Sequence, residues 1–263
     1  MRFAMRLAYD GAGYFGYVRQ PEKNTVESVF LRALGECAGV DPRSCRYAVA
    51  TRTDRGVSAL GQTVAVDLKR EITEMELNSR LPEDVVVLSV IDVRDEFNPR
   101  FNAVEKHYRY VHRIPPDFDV QEARKVAGIF EGRHDFAAFC RREPGRSTVS
   151  EVKRVMVRRT GSLLVMDFFS RSFLWQQVRR MSGAIIGAGC GRAGEGTVRD
   201  LLENPEGKGF PPADPEGLFL VDIRYRGLRF RPEESARRRF LHHLEGCGRD
   251  VCRVMADMLK NRF

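Results

Sequence analysis

The stretch YAVATRTDRGVSALGQTVAV, residues 47–66, places a polar turn between two runs of small and β-branched residues. Such runs are typical of strands, and a glycine-containing polar segment between them is typical of a hairpin connection. The connection carries one carboxylate, Asp54, between Arg52 and Arg55. By residue type alone it is either a solvated charged turn, whose ion pairs contribute only about 0–1 kcal/mol, or a carboxylate held ionised in a nucleic-acid-binding cleft.

Strand and helix patterns continue on both sides of this hairpin. The first part of the chain predicts, in order, a strand at 3–9, a helix with its N-cap at Asn24, strands at about 46–51 and 62–68, a helix at about 73–80 and a strand at 85–91. The order β-α-β-β-α-β is that of a ferredoxin-like unit, an antiparallel sheet backed by two helices.

The rest of the chain repeats this theme with longer insertions. The predicted elements are a strand at 107–112, a helix at 120–130, strands at about 151–159 and 162–170, a long helix at 173–188 capped by Ser172, a short helix from 196, and a strand at 218–225. Two tail helices follow from about 232. We therefore predict an α+β fold of two ferredoxin-like (RRM-like) halves with mainly antiparallel sheets, residues 1–100 and 101–263.

Composition indicates the class of partner. Lysine and arginine outnumber aspartate and glutamate by 44 to 36, which gives a net charge of +8. A basic surplus suits a polyanion, because Lys and Arg displace counterions from phosphates. No run approaches the roughly 18 apolar residues of a membrane helix, and the N-terminus lacks a signal-peptide pattern. We expect a cytoplasmic protein with no membrane partner.

The six cysteines are scattered and include no Cys-x-x-Cys pair, which favours reduced thiols. On a helix His243 and Cys247 would share a face but Cys252 would not, so the sequence predicts no metal site. It also shows no Ser-His-Asp set and no paired carboxylates at obvious spacing.

Several short motifs follow one another along the chain. Besides residues 52–62, they are Tyr9-Asp-Gly11 with Tyr14-Phe-Gly16 and Gln20, Lys106-His-Tyr-Arg-Tyr110, Gly132 to Phe139, Ser172 to Arg179 with Met181 and Gly183, Pro212-Ala213, and Gly217-Leu218. In their order and residues they resemble the motifs of the tRNA pseudouridine synthase A family (TruA). The resemblance centres on residues 52–62 and extends over about residues 3–226. Tyr17, Thr51 and Ser58 depart from the bacterial pattern and are similar to the archaeal and eukaryotic branch.

The resemblance implies an isomerase that converts uridine to pseudouridine in tRNA, at positions 38, 39 and 40 of the anticodon stem-loop. It also implies a central RNA-binding catalytic cleft, a homodimer, and no cofactor or metal. Asp54 is the implied catalytic carboxylate, either as nucleophile or as the base that removes the 2′ proton. Arg179 is implied to pair with it, since a nearby cation favours the charged form of a carboxylate.

The resemblance assigns the remaining roles to RNA contacts. Tyr108 is implied to stack on the target base and to assist proton removal from C5. Arg52 is implied to help flip the uridine out of the RNA. Arg55 and the basic loop 141–146 would grip phosphates, which positions RNA without reading its sequence.

Three alternatives stay open. The first is a pseudouridine synthase that acts on other tRNA positions or other RNAs. The second is a non-catalytic RNA-binding protein, although the sheet lacks the basic and aromatic run of an RNP1 motif. The third is a metal-dependent nucleic-acid enzyme.

Overall fold

The computed structural model describes residues 1–41, 44–204, 207 and 209–261. The strands are β1 (Arg2–Tyr9), β2 (Ala48–Val49), β3 (Ser58–Asp67), β4 (Val85–Val93), β5 (Ala103–Arg113), β6 (Gly132–Asp135), β7 (Val149–Val152), β8 (Arg154–Thr160), β9 (Leu163–Ser170) and β10 (Leu218–Tyr225). The helices are α1 (Val26–Ala38), α2 (Glu74–Asn78), α3 (Val120–Ile129), α4 (Gln177–Gly189), α5 (Glu195–Glu203), α6 (Glu234–Gly246) and α7 (Asp250–Asn261). The fold is therefore mixed α/β with mainly antiparallel strand pairs.

The chain forms two compact units: unit 1 is Met1–Val104 with Phe219–Phe263, and unit 2 is Glu105–Leu218. The predicted division at residues 100 and 101 lies close to the first of these breaks. The C-terminal segment, however, groups with unit 1 and not with the second half. Its β10 pairs in parallel with the start of β3, and the N–H of Glu233 donates to the carbonyl of Leu88 at 2.7 Å. These contacts join residues far apart in the chain, so no local pattern signals them.

In unit 1, β1 lies between β4 and β3 and pairs antiparallel with both. Both β2 and β10 pair with β3, β2 at Ala65 and Val64 and β10 at Ser58 and Ala59. Every residue of β1 is buried. Its two arginines are buried because each meets a carboxylate: Arg2 contacts Asp67 and Arg6 contacts Asp222, both at 2.7 Å.

Helix α1 begins one residue later than the sequence predicts. The N-cap is Thr25, whose hydroxyl accepts from the Ser28 N–H while the Ser28 side chain accepts from the Thr25 N–H. This is a capping box built from a hydroxyl pair. Glu27, three residues after the predicted cap Asn24, accepts a hydrogen bond from the Arg19 N–H at 2.7 Å.

In unit 2, β9 pairs antiparallel with β5 on one side and with β8 on the other. A separate two-stranded sheet joins β6 to β7, and the sequence does not predict β6. Helix α4 starts at Gln177, four residues after the predicted start at Phe173. Gln176 has a φ of 61°, which is outside the helical region, and the Gln177 side chain accepts from the Leu174 N–H at 2.8 Å.

Each unit has its own aromatic core. The largest fully buried side chains of unit 1 include Tyr9, Tyr17, Phe30, Phe219 and Phe240, and those of unit 2 include Tyr110, Phe130, Phe136, Phe139 and Phe168. In the described part of the chain, no helix is long and apolar enough to cross a membrane.

Candidate active site

Asp54 lies in unit 1, in the connection between β2 and β3. The N–H of Val57 donates to the carbonyl of Asp54 at 3.1 Å and closes a four-residue turn. Gly56, its third residue, has a φ of 82°, a conformation that favours glycine at this position. Asp54 is partly buried, whereas Arg52 and Arg55 are exposed. The turn therefore holds one carboxylate between two solvent-facing cations.

The backbone of this turn is held by the segment that follows β1. The carbonyl of Thr53 accepts the Tyr17 N–H at 3.1 Å, and the Thr53 hydroxyl is hydrogen-bonded to the buried Tyr9 hydroxyl at 2.8 Å. Gly16 packs on the turn itself, since a Cβ there would lie 3.0 Å from the Thr53 carbonyl oxygen and 3.3 Å from the Asp54 carbonyl carbon. Thr53, the residue before Asp54, is therefore held by contacts to both its backbone and its side chain.

Gly11 makes a second close approach at the other end of the turn. A Cβ on Gly11 would lie 2.2 Å from the Val57 carbonyl oxygen, so only glycine fits without a backbone shift. The Gly11 N–H also donates to the Ser58 hydroxyl at 2.9 Å. The motif at residues 9–16 is therefore a cradle for the Asp54 turn. Sequence analysis marked this motif but did not predict what it contacts.

Arg55 has an aromatic neighbour from the same cradle. Its guanidinium lies 4.3 Å from the ring centroid of Phe15, and the Lys23 ammonium lies 4.8 Å from the same ring. Two cations beside one partly exposed ring form a basic surface next to the turn, with a modest attraction between each charge and the π-face.

Tyr108 lies in unit 2, on β5, opposite Phe168 of β9. Its ring meets Phe173 edge-on, with the ring centroids 5.5 Å apart, and it is 6% exposed. Because successive side chains of a strand point to opposite faces, its neighbours His107 and Arg109 point to the other side of the sheet. They converge there on Asp167.

Asp167 is the centre of a buried charge cluster. Its carboxylate contacts His107 at 2.6 Å, Arg109 at 2.7 Å and Arg158 at 3.1 Å. Burial alone would raise the pKa of Asp167, but hydrogen bonds from His107 and Arg109 outweigh it and hold the pKa at about 2. The cluster fixes the pairing of β5 with β9, and hence the position of Tyr108.

Arg179 lies on the first turn of α4, in unit 2. Its Nε donates to the Ala213 carbonyl at 2.8 Å, and its own carbonyl accepts the Ala213 N–H at 2.9 Å. One turn further, a Cβ on Gly183 would lie 2.5 Å from the Pro211 carbonyl oxygen. Two motifs that are separate in the sequence, 172–183 and 212–213, are therefore packed together, and they set the direction of the Arg179 guanidinium.

The same segment also meets β5. The Tyr110 hydroxyl donates to the Asp214 carbonyl at 2.9 Å, and burial raises the pKa of this phenol. A Cβ on Gly217 would lie 2.7 Å from the Val111 carbonyl oxygen. The strand that carries Tyr108 and the helix that carries Arg179 thus share one supporting segment, residues 211–217.

The basic loop at 141–146 begins on an aromatic platform. The Arg141 guanidinium lies 4.1 Å from the ring centroid of Trp175, and the Arg141 N–H donates to the Trp175 carbonyl at 2.8 Å. Trp175 is 38% exposed. An exposed ring with a cation on it is a suitable surface for unpaired bases.

The structure therefore builds the predicted site residues in two groups. Unit 1 brings together Arg52, Asp54 and Arg55 on one turn. Unit 2 places Tyr108 and Arg179 on elements that share residues 211–217. Tyr9, Gly16 and Tyr17 hold the Asp54 turn in place, and the sequence did not predict these contacts.

Comparison with known proteins identifies the relatives of this chain. A family model described as tRNA pseudouridine synthase matches residues 126–226. A protein of Pyrococcus abyssi named tRNA pseudouridine synthase A is 40% identical over 250 residues, which cover 93% of this chain and 92% of the relative. A protein of the same name from Thermococcus kodakarensis is 40% identical over 89% of this chain and 89% of the relative. Another, from Methanothermobacter thermautotrophicus, is 36% identical over 93% of this chain and 89% of the relative.

Likeness to solved structures is weaker. The archaeal box H/ACA sRNP Nop10–Cbf5 complex contains a chain with a TM-score of 0.37 and 12% sequence identity, which covers 70% of this chain and 43% of that one. A chain of a Cbf5–Nop10–Gar1 complex has a TM-score of 0.36 and 12% sequence identity. The match covers 83% of this chain and 58% of that one.

Proposed function

The chain belongs to the tRNA pseudouridine synthase A family and isomerises uridine to pseudouridine in tRNA, and from that premise we propose that it acts on uridines 38, 39 and 40 of the anticodon stem-loop. In this reaction the N1–C1′ glycosidic bond breaks, the base turns, and C5 bonds to C1′. The C5 proton is lost and N1 gains a proton. The proposed chemistry needs no cofactor.

In the proposal Asp54 is the catalytic carboxylate, either as nucleophile at C1′ or as the base that takes the 2′ proton. The observation that carries this assignment is the support of its turn. Two hydrogen bonds to Thr53 and the close approach of Gly16 hold the backbone around Asp54. A reacting group must be fixed within a fraction of an ångström, and a solvated surface turn would need none of these contacts.

Arg179 is proposed to pair with Asp54 and to keep it ionised, because a carboxylate can attack only in its charged form. Its anchored Nε supports this role, since the bond to Ala213 leaves the guanidinium little freedom to turn. An opposite charge within about 4–6 Å favours the charged state of a carboxylate.

Tyr108 is proposed to stack on the flipped uracil and to assist removal of the C5 proton. Its fixed ring supports the role, since stacking on an aromatic side chain contributes about 1–3 kcal/mol per base. Arg52 is proposed to help extrude the uridine. Arg55 and loop 141–146 would bind phosphates, and their exposure beside aromatic rings suits them to that.

The finer architecture is part of the same proposal. We propose two ferredoxin-like halves with a central RNA-binding cleft, and a homodimer that works in the cytoplasm on tRNA. The strand order β4-β1-β3-β2 of unit 1 supports the first point, because it is the antiparallel sheet expected of a β-α-β-β-α-β unit.

The test is tritium release from tRNA that carries 5-tritiated uridine. Wild-type protein, Asp54→Asn and the matched control Asp92→Asn are compared without added metal. Asp92 is an exposed carboxylate on β4 of the same unit. We expect Asp54→Asn to lower the release rate by at least about 1,000-fold, as loss of a reacting group does, and Asp92→Asn to equal wild type.

Equal release by wild type and Asp54→Asn would remove Asp54 from the chemistry. Release lost with tRNA binding unchanged would assign Asp54 to the reaction step. Mapping pseudouridine along the product tRNA tests the target, and modification outside positions 38–40 would overturn the anticodon proposal while leaving the role of Asp54 intact.

A further inference from the structure

Three metal-ligating groups meet in unit 1. Asp10 follows β1, and His243 and Cys247 lie at the end of α6. The His243 Nε2 is 3.2 Å from Asp10 Oδ2, and the Cys247 Sγ is 3.5 Å from both of these atoms. The sequence places Asp10 more than two hundred residues from the other two, so the cluster could not be seen in it.

These separations are those of ligands around one zinc ion. With ligand distances of about 2.0–2.2 Å for nitrogen and oxygen and about 2.3 Å for sulfur, tetrahedral angles put an N···O pair about 3.3 Å apart and each pair with sulfur about 3.6 Å apart. All three observed distances agree with these to within about 0.1 Å. Hydrogen bonds alone would not require all three distances between the ligand atoms to match those around one tetrahedral metal ion.

A further cysteine lies beside this cluster without joining it. Cys252, on the first turn of α7, is fully buried and neighbours the Cys247 thiol. The sequence argued against Cys252 as a ligand, because it does not share a helical face with Cys247. In the described part of the chain, the mutually close metal-ligating atoms are those of Asp10, His243 and Cys247 alone.

Charge and second contacts also fit a divalent ion. One carboxylate and one thiolate balance the charge of a zinc ion, and Arg249 contacts Oδ2 of the same carboxylate. The other oxygen of Asp10, Oδ1, accepts the Ala12 N–H at 3.2 Å. Hydrogen bonds of this kind orient the ligands of metal sites.

We propose that Asp10, His243 and Cys247 bind a zinc ion. They fill three of the four positions of tetrahedral zinc and leave the fourth to water. The site ties the end of α6 to Asp10, within the cradle of the Asp54 turn. Its loss frees the end of α6 and loosens the cradle, and the reaction itself does not pass through the metal.

The first test is zinc content, measured by plasma mass spectrometry on full-length protein purified under reducing conditions. We expect about one zinc per chain in wild type, and less than about a tenth of that in His243→Ala and Cys247→Ser. The matched controls are His242→Ala and Cys190→Ser. His242 is the neighbour of a proposed ligand, and Cys190 is an exposed thiol of unit 2. Both controls should keep the wild-type content.

A second measurement avoids variants that fail to fold. Wild-type chain stripped by a chelator and loaded with Co²⁺ should show the visible bands of tetrahedral cobalt and a thiolate-to-cobalt charge-transfer band. Its melting temperature should rise when Zn²⁺ is restored. A folded, reduced chain that shows neither effect would overturn the site, as would wild-type zinc content in either of the two ligand variants. A disulfide between Cys247 and Cys252 in zinc-free, active protein would also overturn it.

Discussion

At the scale of single residues, Asp167 shows how a buried charge is kept. The side chain is 2% exposed, a position that strongly disfavours a lone carboxylate. Two guanidinium groups, those of Arg109 and Arg158, and the His107 imidazole meet it. Removing one partner of a buried ion pair leaves the remaining charge without a counter-charge, which lowers the unfolding free energy by about 3–5 kcal/mol. Asp167 is therefore essential to the stability of unit 2, although it takes no part in the proposed chemistry.

The lowered pKa of Asp167 predicts an acid-dependent loss of stability. Its pKa of about 2 in the folded chain lies below the ordinary aspartate value of 3.8, so the contribution is full above about pH 4 and is lost as the pH falls through about 2. This difference in pKa corresponds to about 2 kcal/mol. The measurement is the unfolding free energy from urea titrations between pH 5 and pH 2.

Comparison with Asp167→Asn isolates this contribution from other carboxylates. Between pH 5 and pH 2 the wild type should lose about 2 kcal/mol more than Asp167→Asn. The exposed control Asp92→Asn should follow the wild-type curve. Parallel curves for wild type and Asp167→Asn would show that Asp167 is not held ionised by its cations.

At the scale of elements, the cradle at residues 9–16 sets the position of the Asp54 turn. Gly16 is its critical residue, because its φ is 91° and its α-carbon faces the backbone of Thr53 and Asp54. A side chain at this φ costs about 1–2 kcal/mol. It also pushes the turn by a few tenths of an ångström, and misplacement of a reacting group by about 1 Å can cost about 100-fold in rate.

We therefore expect Gly16→Ala to lower the unfolding free energy by about 1–2 kcal/mol and the rate of tritium release by at least about tenfold. Gly13→Ala is the matched control in the same loop, since nothing lies within 4 Å of a Cβ there. It should change neither quantity measurably. Equal rates for the two variants would show that the cradle does not position Asp54.

The elements differ in how far the sequence predicts them. The apolar spacing of α1, the β-branched run of β4 and the hairpin of β8 and β9 are local patterns, and each is found within a few residues of its predicted place. The start of α4 was wrong, because Ser172 has the residue type of a cap while Gln176 adopts a left-handed φ. Nothing in the residue types of 173–176 signals that turn.

Site residues divide in the same way. Asp54 and its arginines are recognisable because they share one short motif. The support of that motif by Tyr9, Gly11 and Gly16 depends on how β1 pairs with β3, and the meeting of Arg179 with Ala213 depends on packing across 34 residues. Long-range pairing of this kind leaves no local trace, so it became visible only in the folded chain.

At the scale of the whole molecule, the net charge of +8 gives RNA binding a strong dependence on salt. Each phosphate neutralised by Lys or Arg contributes about 0.7–0.9 to the slope of log affinity against log salt. This makes the proposed phosphate contacts testable one by one, because a residue that touches RNA changes the slope and one that only adds charge does not.

Arg141→Ala with Arg142→Ala should therefore weaken tRNA binding and reduce the magnitude of the salt slope by about 1.5. The control is Arg199→Ala with Arg253→Ala, which removes the same charge from two exposed residues paired within their own helices, to Glu195 and Asp250. Affinities are measured by fluorescence anisotropy over a range of KCl concentrations. The Asp54→Asn background prevents turnover during the titration. The control pair should leave the slope unchanged, and a loss of slope equal in both pairs would assign the salt dependence to net charge and remove loop 141–146 from the RNA-binding surface.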